Sequence, residues 1–257
     1  MADFAGVLHV HSTFSDGTMA LTEIREWAVA EQLDFVCISD HSEHLPNDRR
    51  SCLIDECARL SGEVLLLPGI EFAHSGRHVI AFGPDQCLMR LTDEEAVTQP
   101  ETVRERGGMT IWAHPALTYS MSLRDGAAAR YDGWEIWNLK VDGAFPNLPV
   151  MSLLEHTGRE PAILPFVGWD LHADPTGTTG PRVAVSVSDD DLTRIALLES
   201  LRRGDFRLPA DVGNTVDARV FAAGASACER AASVLRHQRT RATCVARHLA
   251  HRMKTGL

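Results

Sequence analysis

The sequence has no apolar run approaching the roughly 18–20 residues that a membrane-spanning helix requires. Its opening stretch, MADFAGVLHVHS, has no basic segment followed by an apolar one of the secretory type. Positive charge is in deficit: 25 Lys and Arg stand against 35 Asp and Glu, a formal net charge of −10. That excludes a surface-wide electrostatic grip on duplex DNA or anionic lipid. The six cysteines, Cys37, Cys52, Cys57, Cys87, Cys228 and Cys244, form no CxxC pair. A chain of 257 residues with 44% hydrophobic residues can bury a core without a disulfide framework. A reduced, cytoplasmic protein is expected, with Cys37 in the run FVCIS as a buried thiol. GxGxxG after the first strand, GxxxxGKS/T and GxSxG are all missing, so the common nucleotide-cradling and serine-hydrolase fingerprints are excluded. There is no internal repeat and no low-complexity linker.

What is present is an alternation. Seven short runs rich in β-branched, apolar and aromatic residues lie at Val7–Val10, Asp34–Ser39, Val64–Leu67, His78–Phe82, Met109–Ala113, Trp134–Trp137 and Ile163–Val167. Each has strand length. Helical spacing appears between them. In Ala20–Gln32, Leu21, Ile24 and Ala28 share a face, with Thr18 or Thr22 as the expected cap. Asn47–Ser61 and Thr92–Arg106 also predict helices, the latter stopped by Gly107-Gly108. Strands alternating with helices predict an α/β chain with a parallel sheet, and seven strands suit a closed or nearly closed barrel, with a doubly wound sheet as the competing arrangement. After Phe206 the pattern turns Ala- and Arg-rich. The expected division is a barrel over 1–210 and a helical extension over 211–257 packed on it.

Twelve histidines are present, and many follow the apolar runs directly. The first run ends His9-Val10-His11, two imidazoles on one face of a strand, because side chains two apart point the same way. Ser15-Asp16-Gly17 then sets a carboxylate in a turn. Later runs lead into Asp40-His41, Glu71, His114 and the same-face pair Asp170 and His172; His78 instead opens its run. In a parallel barrel the strand C-termini share one rim, where loops build the active site. Buried imidazoles and carboxylates need partners, and a bound metal ion satisfies several together. An accidental set of polar strand ends is the bland alternative, and it is hard to reconcile with so many successive ends.

HVHSTFSDG, ISDH, PGIE, HVIAFG, AHP and GWDLH, in this order, resemble the motifs of the PHP (polymerase and histidinol phosphatase) domain over about residues 7–205. The chain looks like the stand-alone metal-dependent phosphoesterases of that family. From GWDLH through TTGPRVAVSV to LLESLRRGDFR it is also similar to CehA/McbA-type metallo-hydrolases, which include ester and carbamate hydrolases. The resemblance implies a distorted barrel of seven βα units holding two or three divalent ions (manganese, zinc or iron). It implies that His9, His11 and Asp170 hold the first ion and that Glu71 bridges it to a second. His78 and His114 complete the second, while Asp16, His41 and His172 hold the third. Glu71, Asp170 and His172 are then the catalytic residues. Many relatives have histidine where Asp16 stands, and a hard carboxylate there favours manganese or magnesium. Several phosphatase relatives have a basic residue just after AHP, where Ala116 and Leu117 follow here. This raises the ester or carbamate reading.

Around this set, Asp40 is expected to orient a ligand as an acceptor, and Ser12 and Ser15 to satisfy turn hydrogen bonds. Lys140, after WEIWNLK, and Arg182, opening RVAVSV, are the candidate substrate-binding cations, each equally readable as a surface charge. Tyr119, Trp137 and Asn138 are candidate pocket residues, with the tryptophans more simply read as packing. His44 and His74 lie beside the motifs, whereas His156, His237, His248 and His251 follow no strand. The expected activity is hydrolysis of a small phosphomonoester, nucleotide or single-stranded oligonucleotide by a metal-bridging hydroxide. The alternatives are a metal-dependent ester or carbamate hydrolase and a non-catalytic metal-stabilised binding module. Neither duplex DNA nor a membrane is an expected partner.

Overall fold

The structure, a computed structural model, describes residues 2–115, 130–143, 146–155, 163–187, 191–211 and 214–217. All seven apolar runs are strands. In chain order the strands are β1 Ala2–Val10, β2 Phe35–Ile38, β3 Asp40–His41, β4 Leu65–Leu67, β5 Gly69–His74 and β6 Arg77–Phe82. They continue with β7 Met109–Trp112, β8 Gly133–Asn138, β9 Leu164–Gly168, β10 Val183–Val187, β11 Phe206–Asp211 and β12 Asn214–Asp217. The helices are α1 Leu21–Ala30, α2 Asn47–Leu60, α3 Asp85–Arg90, α4 Asp93–Thr98, α5 Pro100–Glu105, α6 Leu139–Asp142, α7 Leu148–Glu155 and α8 Arg194–Arg203.

Two sheets share these strands, in the orders β12-β11-β10-β1-β2-β4 and β3-β5-β6-β7-β8-β9. They are continuous with each other, because β2 runs into β3 across Ser39 and β4 into β5 across Pro68. The remaining gap is bridged by backbone. Trp169 N donates to Leu8 O at 2.9 Å, Leu171 N to His9 O at 3.1 Å, and His11 N to Leu171 O at 2.8 Å. The continuation of β9 therefore pairs with β1 in parallel, and the strands form a closed, distorted α/β barrel. The barrel is not wholly parallel. β6 is antiparallel to both β5 and β7. The reversal is made by Ser75-Gly76, both at positive φ (52° and 75°), the backbone that a two-residue hairpin turn requires. It corrects the all-parallel expectation and places the start of β6 on the rim where its neighbours end.

Burial follows the sequence pattern. β2, β7 and β9 are buried along their whole length. α1 turns Leu21, Ile24 and Ala28 inward. Neither Thr18 nor Thr22 caps it; Ala20 takes that place, and its amide donates to Glu23 Oε2 at 2.7 Å. The expected Thr92–Arg106 helix is two short ones, α4 and α5. Pro100 has no N–H to carry the ladder, so it starts a new helix after the non-helical Gln99. Cys37, Cys57 and Cys87 are buried free thiols, and burial pushes the Cys37 thiol far up. The expected boundary at 210 falls inside β11, and Asn214–Asp217 is strand where helix was expected. The cause is local: β10 presents an edge on which Phe206–Asp211 and then Asn214–Asp217 pair antiparallel. The rest of the tail, with Cys228 and Cys244, lies outside the described residues. No helix among the described residues is long and apolar enough to cross a membrane.

Candidate metal centre

The barrel brings all nine expected side chains to one rim. Glu71, at the centre, is only 1% exposed. Its Oε2 stands 3.1 Å from His9 Nε2, 3.3 Å from His11 Nε2 and 3.6 Å from His41 Nδ1. Its Oε1 stands 2.8 Å from His78 Nδ1 and 3.0 Å from His114 Nε2. One carboxylate thus divides five imidazoles into two sets. Asp170 Oδ1 lies 3.7 Å from His9 Nε2, 3.4 Å from His11 Nε2 and 3.3 Å from His172 Nδ1. Nearer the mouth, Asp16 reaches His11, His41 and His172 at 3.6, 3.8 and 3.2 Å. His78 joins from the beginning of its strand because β6 runs the other way.

The donor set fits divalent cations. Four groups, His9–His11–Glu71, His9–His114–Asp170, His41–Glu71–His78 and His11–Asp16–His41–His172, each hold their ligand atoms within 4.8 Å of one another. Both ring nitrogens of His11, Nδ1 of His41 and Nδ1 of His114 are buried without a hydrogen bond. Such orphans are unfavourable by about 1–3 kcal/mol each in a closed core. The donors are nitrogen and oxygen only, a set suited to manganese, zinc or iron.

The backbone is strained at the same place. His9, His114 and Asp170 adopt positive φ of 64°, 30° and 52°, a region L residues rarely occupy and one associated with functional sites. The electrostatics agree with a cation site. Burial works against protonating His9, but the carboxylates of Glu135, Glu71 and Asp170 outweigh it and hold its pKa well above the ordinary value. Burial likewise works to raise Glu71, while His9 charge, the nearby His11 ring and hydrogen bonds from His114 and His78 hold it well below the usual range. Asp170 is lowered too: the positive neighbours led by His9 overcome burial. His172 and His41 are lowered chiefly by burial, which keeps their lone pairs available.

Of the two expected cations, only Lys140 reaches the cluster. Its Nζ is 3.4 Å from Asp170 Oδ1 and 3.2 Å from both His172 ring nitrogens. The sequence has two lysines, and the other, Lys254, lies outside the described residues. Arg182 is not brought to the site. It donates to Glu31 Oε2 at 2.7 Å and to Glu31 O at 3.0 Å, below the rim, where Val183 pairs with Gly6. The preceding loop turns its guanidinium toward the end of α1. Asp40 holds the loop after β1 instead of an imidazole: it accepts from Ser12 N at 2.8 Å, Ser12 Oγ at 2.7 Å and Ser15 Oγ at 2.5 Å. His44 is exposed, His74 lies at the far end of β5, and neither belongs to the four groups. Trp134 and Trp137 are buried packing residues. Tyr119, His156, His237, His248 and His251 lie outside the described residues.

One buried acid escaped the sequence reading. Glu135, in the middle of WEIWN, is 3% exposed and lies directly behind His9, with its Oε1 at 2.8 Å from His9 Nδ1. Its Oε2 accepts from His114 N at 2.7 Å and from Asn138 Nδ2 at 3.0 Å. The available signal was a carboxylate flanked by large apolar residues inside a core strand.

No protein-family profile matches the chain, and no curated protein matches its sequence. Solved structures do resemble it. A two-domain protein from Bacteroides vulgatus, containing a PHP-like metal-dependent phosphoesterase as named from its sequence, superposes with a TM-score of 0.59 at 16% identity. The match covers 81% of this chain and 65% of that one, so the chain spans about two-thirds of that protein's length. An amidohydrolase from Chromobacterium violaceum, determined with sulfate and without metal, gives a TM-score of 0.48 at 16% identity, over 81% of this chain and 99% of its own. A Bifidobacterium adolescentis protein named as a metal-dependent phosphoesterase gives 0.43 at 18% identity, over 65% of this chain and 87% of its own. The overall fold is thus shared with the PHP-like Bacteroides protein.

Proposed function

We propose that the protein is a divalent-metal-dependent hydrolase acting as a phosphoesterase on a small phosphomonoester, a nucleotide or a short single-stranded oligonucleotide in a reducing cytoplasm. The observation that carries this reading is the convergence of six imidazoles, those of His9, His11, His41, His78, His114 and His172, on Glu71, Asp170 and Asp16 in four groups whose ligand atoms lie within 4.8 Å of one another. His9, His11 and Asp170 would hold one ion, Glu71 with His78 and His114 a second, and Asp16, His41 and His172 a third. Divalent cations held there would supply Lewis acidity to a substrate oxygen and to water near neutral pH.

The chain's own residues supply the rest. Glu71 is shared between two imidazole sets, so it fixes their separation. His172 Nδ1 lies 2.9 Å from its donor-accepting neighbour Asp170 O, which leaves Nε2 facing Asp16. The Lys140 ammonium, half-exposed at the mouth, is placed to bind an anionic substrate oxygen. Asp16, with 44% of its side chain exposed, faces the entering substrate.

A second reading keeps the ions and makes the substrate a carboxylic ester or carbamate. The position of Arg182 favours it, since the second cation expected for a phosphate is tied to Glu31. The test is direct. Protein loaded with Mn2+, Zn2+ or Fe2+ is assayed for phosphate release from phosphomonoesters, nucleotides and short single strands, and in parallel for turnover of aryl carbamates. Chelator-sensitive phosphate release is the expected result. Carbamate turnover without phosphate release selects the second reading. A stoichiometric ion with neither activity selects a metal-stabilised binding module, and absence of any stoichiometric ion removes all three.

A further inference from the structure

We propose that Glu135 is a positioning residue: its carboxylate fixes which nitrogen of His9 carries the proton, so that the other presents a lone pair to the ions. This deepens the proposed function and rests on it. The geometry is specific. Glu135 Oε1 faces His9 Nδ1 at 2.8 Å, while Glu71 Oε2 and Asp170 Oδ1 face His9 Nε2 at 3.1 and 3.7 Å. Behind His9 the carboxylate accepts a ring N–H; in front, Nε2 is turned to the cluster. An outer carboxylate of this kind fixes ring orientation and raises ligand basicity.

The other oxygen of Glu135 works on a second strand. It accepts the backbone N–H of His114 and the amide of Asn138. His9 and His114 both have positive φ, so one buried acid braces two of the strained ligand positions. Gly168 shows how closely the carboxylate is seated: a Cβ there would lie 2.0 Å from Glu135 Oε1 and 3.0 Å from the Cβ of His9. The groups that include His9 are therefore braced by Glu135, whereas His11–Asp16–His41–His172 is not.

Glu135→Gln is a sharp test, because three donors converge on this carboxylate and an amide offers one oxygen. The His114 amide is backbone and cannot turn over. Asn138 cannot reverse freely, since its Oδ1 already accepts from Val141 N at 3.0 Å. The oxygen of the introduced amide therefore goes to these two donors and its NH2 faces His9, which must then accept at Nδ1 and carry its proton on Nε2. A protonated Nε2 is no ligand.

The experiment compares Glu135→Gln with the unaltered protein by 15N-edited NMR of the histidine rings without metal, by Zn2+ titration calorimetry, and by thermal melting. The expected result is a folded variant that loses the low-field Nδ1–H resonance of His9 and binds its first Zn2+ about 10–100-fold more weakly, the range for outer partners of metal ligands. Glu135→Asp keeps the charge and recovers part of the affinity; if Glu135→Gln does not fold, this variant carries the test, with at least fivefold weaker binding expected. A folded variant that keeps the Nδ1–H resonance, or binds Zn2+ within twofold of the unaltered protein, overturns the proposal. If the unaltered protein binds none of Zn2+, Mn2+ and Fe2+, the proposed function fails while the ring resonances still decide the role of Glu135.

Discussion

The floor and the mouth of the cluster are built differently. On the floor, His9, Glu71, His114 and Asp170 are at most 6% exposed, three of the four have left-handed backbone, and Glu135 and Asn138 brace them from behind. At the mouth, Asp16, His41, His172 and Lys140 are partly open to solvent, and the loop that carries Asp16 is tied down by Asp40. Rigid, over-determined geometry suits residues that hold ions. Half-exposed, singly braced residues suit contact with a substrate that must enter and leave. On the proposed function the floor would hold the first two ions, and the mouth, where Asp16, His41 and His172 would hold the third beside Lys140, would bear more on substrate choice.

Glu71→Gln gives the largest effect. Removing the charge shared by five imidazoles should lower both metal content and turnover by more than about a hundredfold, beyond what outer partners typically contribute. Elemental analysis and phosphate release check it; full metal content would break the assignment of Glu71 to the floor. Lys140→Met comes next. Loss of a charge-assisted contact should raise KM for phosphoesters about tenfold and leave metal content unchanged. Equal effects on phosphoesters and neutral carbamates would remove Lys140 from substrate binding.

The pH dependence of stability sharpens the same contrast in metal-free protein. Glu71 and Asp170 are held below their ordinary values of 4.5 and 3.8, so their contribution is present above those values and lost as pH falls. His9, His11 and His78 are held above 6.5; their contribution is complete below 6.5 and lost as pH rises through the raised values. His41 and His172 are held below 6.5 and weaken the fold as pH falls beneath that value, so urea midpoints in chelator should be highest near pH 6.5 and fall toward pH 8. Metal loading should reverse the alkaline trend, because ligand imidazoles must be neutral. A midpoint rising from pH 6 to 8 in chelator would contradict the floor electrostatics. Arg182→Ala is the smallest change. Its exposed pair with Glu31 contributes about 0.2–1 kcal/mol at most, with no expected change in turnover.

Much of this was legible before any coordinates. Same-face spacing in His9-Val10-His11 and in Asp170-Leu171-His172, at the ends of apolar runs, pointed to a common rim. His78 was legible as a residue but not as a position, since its place depends on the reversal at Ser75-Gly76. Glu135 was hidden because alternation along a strand reads a carboxylate as solvent-facing; only the meeting of β1, the end of β7 and β9 around it makes that face interior. Arg182 misled because nearness to a strand end says nothing about which way a loop turns the side chain. Pro100 was visible, yet helical periodicity on both sides concealed the break.

The backbone bonds from residues 169–171 to β1 give the cluster a second significance. His9 belongs to β1 and His11 directly follows it, while Asp170 and His172 belong to the segment that completes the circle more than 150 positions later. Cations shared by these residues would act as a clasp between the beginning and the end of the barrel. Catalytic competence and the integrity of the fold would then open and close at one seam.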